Sequence, residues 1–468
     1  MLSSHVEWPD DPDPHSGDES PFAPRAPLRR LRVMIDGDLY RVPAQTAATV
    51  EEVLTGLLGH EHVTCFRYAD NGPPPGTRPY ELTDGGRAYE GWVTVDPPDG
   101  RPESRGIVFC ANRRPVRATA YLDRRRHADE AVAYLDLAPE VAAARRSADA
   151  LALRVALGMD ADLFVTERPY LYLARGRSSR TKVARPAEAL AVVGLYLRGQ
   201  GVYSVDPPLP RGDYFAVGAM ELMPAVWRWS AACHQSAAAA GLAGALIARV
   251  ARALESRDTL HQVINRAKTA DTPSAVLSCL DDVVLRLSSA VEISARVAHL
   301  ALDLGERHPA GWQRQDWVKK VREKDKNLAA LVGDRSPGRV LVKGIGALRD
   351  SLHLSELDGL LGARRPERPS VLVTLPSSSA TELAALFDHF GTATAWGVHE
   401  VDQGVRYADP GVFVDQLVVR TIGFLNVVMA RTPVERLPNV HGPLPDSPWS
   451  AGHHPEPARR GIRWQLGL

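Results

Sequence analysis

Ser147-Ala-Asp149-Ala-Leu-Ala-Leu-Arg-Val-Ala156-Leu-Gly158-Met-Asp-Ala-Asp-Leu-Phe-Val-Thr166-Glu167 reads as a helix bearing an acid, then a buried strand ending in a hydroxyl and a carboxylate. Helical periodicity runs from Val141 to Leu157, with small residues that allow close packing. The apolar run from Asp162 to Thr166 suits a strand covered on both faces. A helix feeding a buried strand is the repeating unit of an α/β domain, and this stretch sets the class of the first half of the chain.

Upstream, Leu31-Arg-Val-Met-Ile35 predicts a strand running into Asp36-Gly37-Asp38, and Val50, Val53, Leu54, Leu57 and Leu58 predict a helix from Thr49 to Leu58. Further strands are expected at Gly91 to Val95 and Gly106 to Cys110. Residues 1–28, rich in Pro, Asp and Ser and without aliphatic periodicity, are expected to be disordered. The α/β domain then covers 29–203, and Pro207, Pro208, Pro210 and Gly212 mark a linker at 204–213. A helical bundle is expected over 214–365, a strand and helix extension over 366–438, and a flexible tail over 439–468. The expected fold class is therefore an α/β N-terminal domain followed by an all-α helical bundle with a small C-terminal α/β appendage.

Lys plus Arg and Asp plus Glu are equal at 56 each, so a polyanion partner would have to be drawn by a local patch. The four cysteines, Cys65, Cys110, Cys233 and Cys279, stand too far apart for a zinc finger or a disulfide framework. Glu7, Asp10, Asp11 and Asp13 sit where a signal peptide would be basic, and the apolar run Ala237 to Ala248 is too short to span a bilayer. A reduced, cytoplasmic protein with no membrane partner is expected, and the Ala, Arg, Gly and Pro bias suits a GC-rich bacterial genome. Walker A loops, dinucleotide fingerprints and GxSxG elbows do not occur in the sequence.

Two segments repeat one pattern, Arg257-Asp258-Thr259-Leu260-His261 and Arg349-Asp350-Ser351-Leu352-His353. On a helix, residues four apart share a face, so each copy aims a permanent cation and a titratable imidazole at one spot. Such a pair suits metal-free RNA cleavage: His handles the protons of the 2′-hydroxyl and the leaving oxygen, while Arg offsets phosphate charge. The second copy follows Val340, Leu341, Ile345 and Leu348, an apolar helical stripe. Arg349, its polar follower Asp350, and His353 resemble the motif of the HEPN family, helical domains of RNA-cutting toxins and defence systems. Three residues intervene between Arg349 and His353, against the four to six usual in that family.

The resemblance implies Arg349 on the phosphate, His353 as acid or base, Asp350 as orienter, no metal, and a homodimer that pairs two motifs across one cleft. Arg257 and His261 are the secondary candidates. The helix and strand from Ser147 to Glu167 are similar to the closing half of PIN-like nuclease domains, within a PIN-like or Rossmann-like fold. That likeness implies Asp149 and Glu167, with Thr166, as ligands of Mg or Mn. Asp36 would be the first-strand acid and Glu51 or Glu52 the helix acid. Arg175 to Lys182 forms a basic loop, and the charged run Lys319 to Lys326 reads as a solvated helix face.

Together these readings point to an RNA-directed, metal-independent endoribonuclease of a bacterial defence or toxin-type system. The alternative is a non-catalytic RNA-binding or dimerising interaction protein of such a system.

Overall fold

The computed structural model describes residues 30–37, 50–70, 90–95, 104–111, 114–121, 134, 136–158, 161–168, 171, 182–203, 209–266, 268–305, 309–354, 359–365, 368–401, 405–445 and 456–468. The chain divides into two compact units at Val202 and Tyr203. An α/β region precedes a mainly helical part, as the periodicities predict. The expected disordered segment 1–28 and the basic loop up to Thr181 lie outside the described residues.

Unit 1 runs β1 (Leu31–Asp36), α1 (Val50–Leu58), β2 (Val63–Tyr68), β3 (Glu90–Val95), β4 (Ser104–Ala111), β5 (Arg114–Tyr121), α2 (Pro139–Gly158), β6 (Leu163–Val165), β7 (Lys182–Ala184) and α3 (Pro186–Gly199). The seven strands form one sheet in the order β5-β4-β3-β2-β1-β6-β7. β1 pairs in parallel with β2 on one side and β6 on the other, and β2–β3 and β6–β7 are also parallel. β4 and β5 close the edge as an antiparallel pair. Every residue of β1 and β6 is buried, the continuous burial that a central parallel strand requires. Small residues of α2 allow it to pack closely: Ala150, Ala152, Val155 and Ala156 join Met34, Phe66 and Phe164 in one core. Chain order leaves β1 toward β2 and later returns to its other side at β6. The carboxyl ends of β1 and β6 therefore flank a switch point, where open α/β sheets place their sites.

Unit 2 contains α4 (Arg211–Leu222), α5 (Val226–Gln235), α6 (Leu242–Asn265), α7 (Thr272–Ala301), α8 (Gln315–Lys324), α9 (Lys326–Ala330), α10 (Pro337–Leu354), β8 (Gly359–Arg365), β9 (Arg368–Thr374), α11 (Ala380–Phe390), β10 (Val398–Val401), β11 (Val405–Ala408), α12 (Pro410–Arg431) and α13 (Glu456–Leu466). The four strands make an antiparallel sheet, β10-β11-β9-β8. The expected boundary at 365 falls inside the β8–β9 hairpin, and Val371, Val373, Leu383 and Phe413 belong to the same core as the bundle helices. Apolar residues of the expected extension thus complete the bundle rather than append to it. The expected linker gives way at Arg211 to α4.

The expected tail likewise holds α13, where Ile462 and Leu466 are buried. Tyr214 on α4 donates its hydroxyl to Gln465 at 3.0 Å, which anchors that helix. Asp409 caps α12 by accepting from the Gly411 and Val412 amides, with Pro410 at the first helical position. By length and composition α12 is apolar enough to cross a membrane, but 56% of its most apolar window is buried in the protein. Trp229 donates to the Met429 carbonyl at 2.9 Å and fixes α5 against α12.

Gly338 marks a close approach at the start of α10. A Cβ there would stand 2.3 Å from the Leu331 carbonyl oxygen and 2.8 Å from Phe424. Gly244, near the start of α6, has open space in the same direction. Gly338→Ala is expected to lower stability by about 1–3 kcal/mol through overpacking. Gly244→Ala is expected to raise it by about 0.4–1 kcal/mol, by restricting the unfolded chain. Thermal and urea unfolding of the two variants beside the parent measures both; a neutral Gly338→Ala contradicts the packing described.

Candidate functional site

Three elements of unit 1 bring carboxylates to the carboxyl end of the parallel strands. Asp36 is the last residue of β1, Asp70 follows β2 by two residues, and Asp149 projects from α2. Thr166, directly after β6, donates its hydroxyl to Asp36 Oδ2 at 2.9 Å. The surprise is the group in their midst. Arg168 Nε donates to Asp36 Oδ2 at 2.5 Å and its Nη2 to Asp36 Oδ1 at 3.2 Å. Its Nη1 reaches both oxygens of Asp70 at 3.1 Å and Asp149 Oδ1 at 3.2 Å. The remaining oxygen of Asp149 accepts from the Tyr134 hydroxyl at 2.6 Å.

Backbone geometry supports this arrangement. The Arg168 amide donates to Thr166 Oγ1 at 3.2 Å, which turns the chain after β6 and points the Arg168 side chain inward. Glu167, between them, faces solvent. Tyr134 holds a left-handed backbone with φ 65°, a conformation that a bulky residue keeps only when its surroundings fix it. The Tyr68 ring lies 5.8 Å from the Arg168 guanidinium carbon.

Electrostatics follow from burial and pairing. Burial alone favours loss of the Arg168 proton, but hydrogen bonds and charge from Asp36, then Asp70, hold the guanidinium more firmly charged than usual. Burial lifts the Asp149 carboxyl above the ordinary range despite the Tyr134 hydrogen bond and the Arg168 charge. Burial likewise raises both phenols, Tyr68 and Tyr134, so they stay protonated donors. Three carboxylates against one guanidinium leave two formal negative charges among these four side chains. Such a cluster repels a phosphodiester rather than attracting one.

Mg or Mn needs several carboxylate or water oxygens facing a shared centre, at about 2.0–2.1 Å for Mg. Here the oxygens face a guanidinium that is part of the chain, so the residues as arranged do not fit a divalent ion. Among the described residues, no group of three His, Cys, Asp or Glu side chains is disposed for a metal. Of the acids named from sequence, Asp36 and Asp149 meet, together with Thr166. Glu167 is exposed, and Glu51 and Glu52 lie in the first turn of α1. Asp70, Arg168, Tyr68 and Tyr134 are additions. Asp70 was findable as the acid that ends the strand-like run Val63–Tyr68, and Arg168 as the next residue after the strand-end Thr166-Glu167.

The two Arg-Asp-hydroxyl-Leu-His copies have different surroundings. Arg257, on α6, is buried; its Nε donates to Asp415 Oδ1 at 2.6 Å and its Nη1 to the Leu466 carbonyl at 2.7 Å. His261 Nε2 meets the same Asp415 oxygen at 2.8 Å. This copy is a joint among α6, α12 and α13. Arg349, on α10, is 28% exposed and pairs with Glu292 at 2.6 Å and Asp350 at 2.9 Å, both more than half exposed. His353 belongs to the last turn of α10, and its side chain lies outside the described residues. Ser351 binds Ser379 at 2.8 Å, which ties that turn to the start of α11.

No family model, characterised protein or solved structure matches this chain.

Burial works against ionisation of Asp415, yet the His261 hydrogen bond and the Arg257 charge outweigh it and hold the carboxyl below its usual range. A depressed folded value means stability that is present above the ordinary carboxylate range and lost as pH falls through the folded value. Asp415→Ala leaves a buried guanidinium donor without its acceptor and is expected to cost about 1–3 kcal/mol near neutral pH. The gap between variant and parent should close on acidification. Chemical denaturation from pH 7 to pH 3 checks this, and a gap independent of pH contradicts it.

Proposed function

We propose that the protein is a non-catalytic interaction protein built on a nuclease-like α/β unit, an RNA-associated and self-associating component of a bacterial defence or regulatory system. The observation that carries this reading is the seat of Arg168. Its donors engage all three carboxylates, two after strands and one on α2, that a PIN-like hydrolase would turn toward divalent ions. The strand order, and the acids at the ends of β1 and β2 and on α2, support PIN-like ancestry within the wider doubly wound class. The guanidinium at their centre argues against hydrolysis at that place.

Self-association is supported by one face of α12. Val412, Val419 and Val427 are about 40% exposed there, and Gly423 and Ala430 lie on the same stripe. Positions 412 and 430, and 419 and 423, are symmetric about residue 421. An antiparallel second copy would therefore set Val412 on Ala430 and Val419 on Gly423, an isologous contact about a two-fold axis. The two chains would both be cytoplasmic, with no membrane partner.

A second reading is metal-independent RNA cleavage by Arg349 and His353, with Asp350 orienting them. What favours it is that Arg349 remains partly accessible and its partners Glu292 and Asp350 are exposed, so a phosphate could displace them. Exposed pairs of this kind hold a side chain by about 0–1 kcal/mol.

Total RNA incubated with the purified chain, in EDTA and in Mn²⁺, separates the two readings. The interaction reading predicts intact RNA in both buffers and salt-sensitive binding. Cleavage in EDTA that disappears in Arg349→Ala and His353→Ala contradicts it and supports the second reading. Light scattering tests self-association: a dimer is expected for the parent and a monomer for Val419→Glu. A monomeric parent removes the α12 contact.

A further inference from the structure

We infer that Arg168 is a tethered cation that takes the position of a divalent ion among Asp36, Asp70 and Asp149, and that removing its guanidinium opens a site for Mg²⁺ or Mn²⁺. The geometry is specific. One guanidinium forms hydrogen bonds with five carboxylate oxygens from three separate elements, both of Asp36, both of Asp70 and one of Asp149. Two neighbouring strand ends and a helix packed in their core thus turn their carboxylates to one positive centre. A hard cation with oxygen ligands imposes the same convergence, and a guanidinium imposes it only through its fixed fork of donors.

Hydrogen bonds to the carboxylates from outside the guanidinium are consistent with this origin. Thr166 orients Asp36 through a hydrogen bond to Oδ2, and Tyr134 orients Asp149 through the oxygen that Arg168 leaves. Ligating carboxylates are commonly steadied by outer partners of this kind. Charge points the same way. One positive charge against three carboxylates leaves the centre short by two, which a divalent ion would offset more fully than a guanidinium does. Removing the Arg168 side chain would leave three carboxylates of one sign facing a space that hydrated Mn²⁺ can enter.

The consequence reaches the unit's folding. With the cation supplied by its own sequence, the wild-type α/β unit closes its carboxylate cluster without a divalent ion. An Arg168→Ala chain would depend on one. This goes further than the interaction reading and rests on its view of unit 1 as nuclease-like.

The test compares full-length wild type, Arg168→Ala, and Arg168→Ala combined with Asp70→Asn. Mn²⁺ binding is measured by calorimetry, and melting is followed in EDTA and in millimolar Mn²⁺. Wild type should melt at one temperature in both buffers. Arg168→Ala should melt lower in EDTA, recover in Mn²⁺, and bind Mn²⁺ at least about tenfold more tightly than wild type. Adding Asp70→Asn, at the half-exposed rim, should abolish that gain.

Equal Mn²⁺ affinity in wild type and Arg168→Ala overturns the inference. So does an Arg168→Ala chain that stays unfolded in both buffers, because a site open to a divalent ion would rescue it. RNA cleavage by wild type in EDTA would overturn the interaction reading and leave this result standing.

Discussion

The guanidinium of Arg168 lies where three acidic side chains would otherwise repel one another. Two unit charges about 4 Å apart near a protein surface interact by about 4 kcal/mol, so an uncompensated trio at the ends of β1 and β2 and on α2 would push those elements apart. Arg168 turns that repulsion into a joint. Its place is set by the turn after β6, where Thr166 accepts from the Arg168 amide while donating to Asp36. Tyr134 completes the enclosure from a left-handed backbone. Sheet topology, helix placement and local strain thus serve a single electrostatic requirement.

Unit 2 shows how surroundings decide what a motif does. The same five-residue pattern lies on α6 as an internal joint and on α10 as an accessible surface pair. Arg257 is drawn inward because Asp415 on α12 and the carboxyl-terminal end of α13 meet it there. Arg349 is partly exposed and pairs with exposed acids among the described residues. Spacing alone treats the two copies as equal. Burial separates them, and only the accessible copy retains donors that a phosphate could claim.

Much of the fold was legible from periodicity. The strand Leu31–Asp36, the helices at Val50–Leu58 and Pro139–Gly158, and the strand after Asp162 fall where apolar spacing predicts. Harder to read was β7, a strand of three residues. Hardest was α13, whose anchoring by Arg257 and Tyr214 depends on partners 209 and 251 residues away. At the site, Asp36 and Thr166 follow from an acid or hydroxyl at a strand end, and Asp149 from an acid on the helix that leads into β6. Arg168 was missed because a cation among catalytic-type acids contradicts the expectation of a metal. Glu167 was preferred to it because the turn after β6 that sends one residue outward and the next inward is set by tertiary contacts.

The central claim is that Arg168 holds the position a divalent ion would take. Anomalous diffraction from crystals of the wild-type protein soaked in Mn²⁺ tests it most directly. The account predicts no manganese peak among Asp36, Asp70 and Asp149, with the Arg168 guanidinium in place between them. A manganese peak bound by those three carboxylates, with Arg168 swung out, would contradict it.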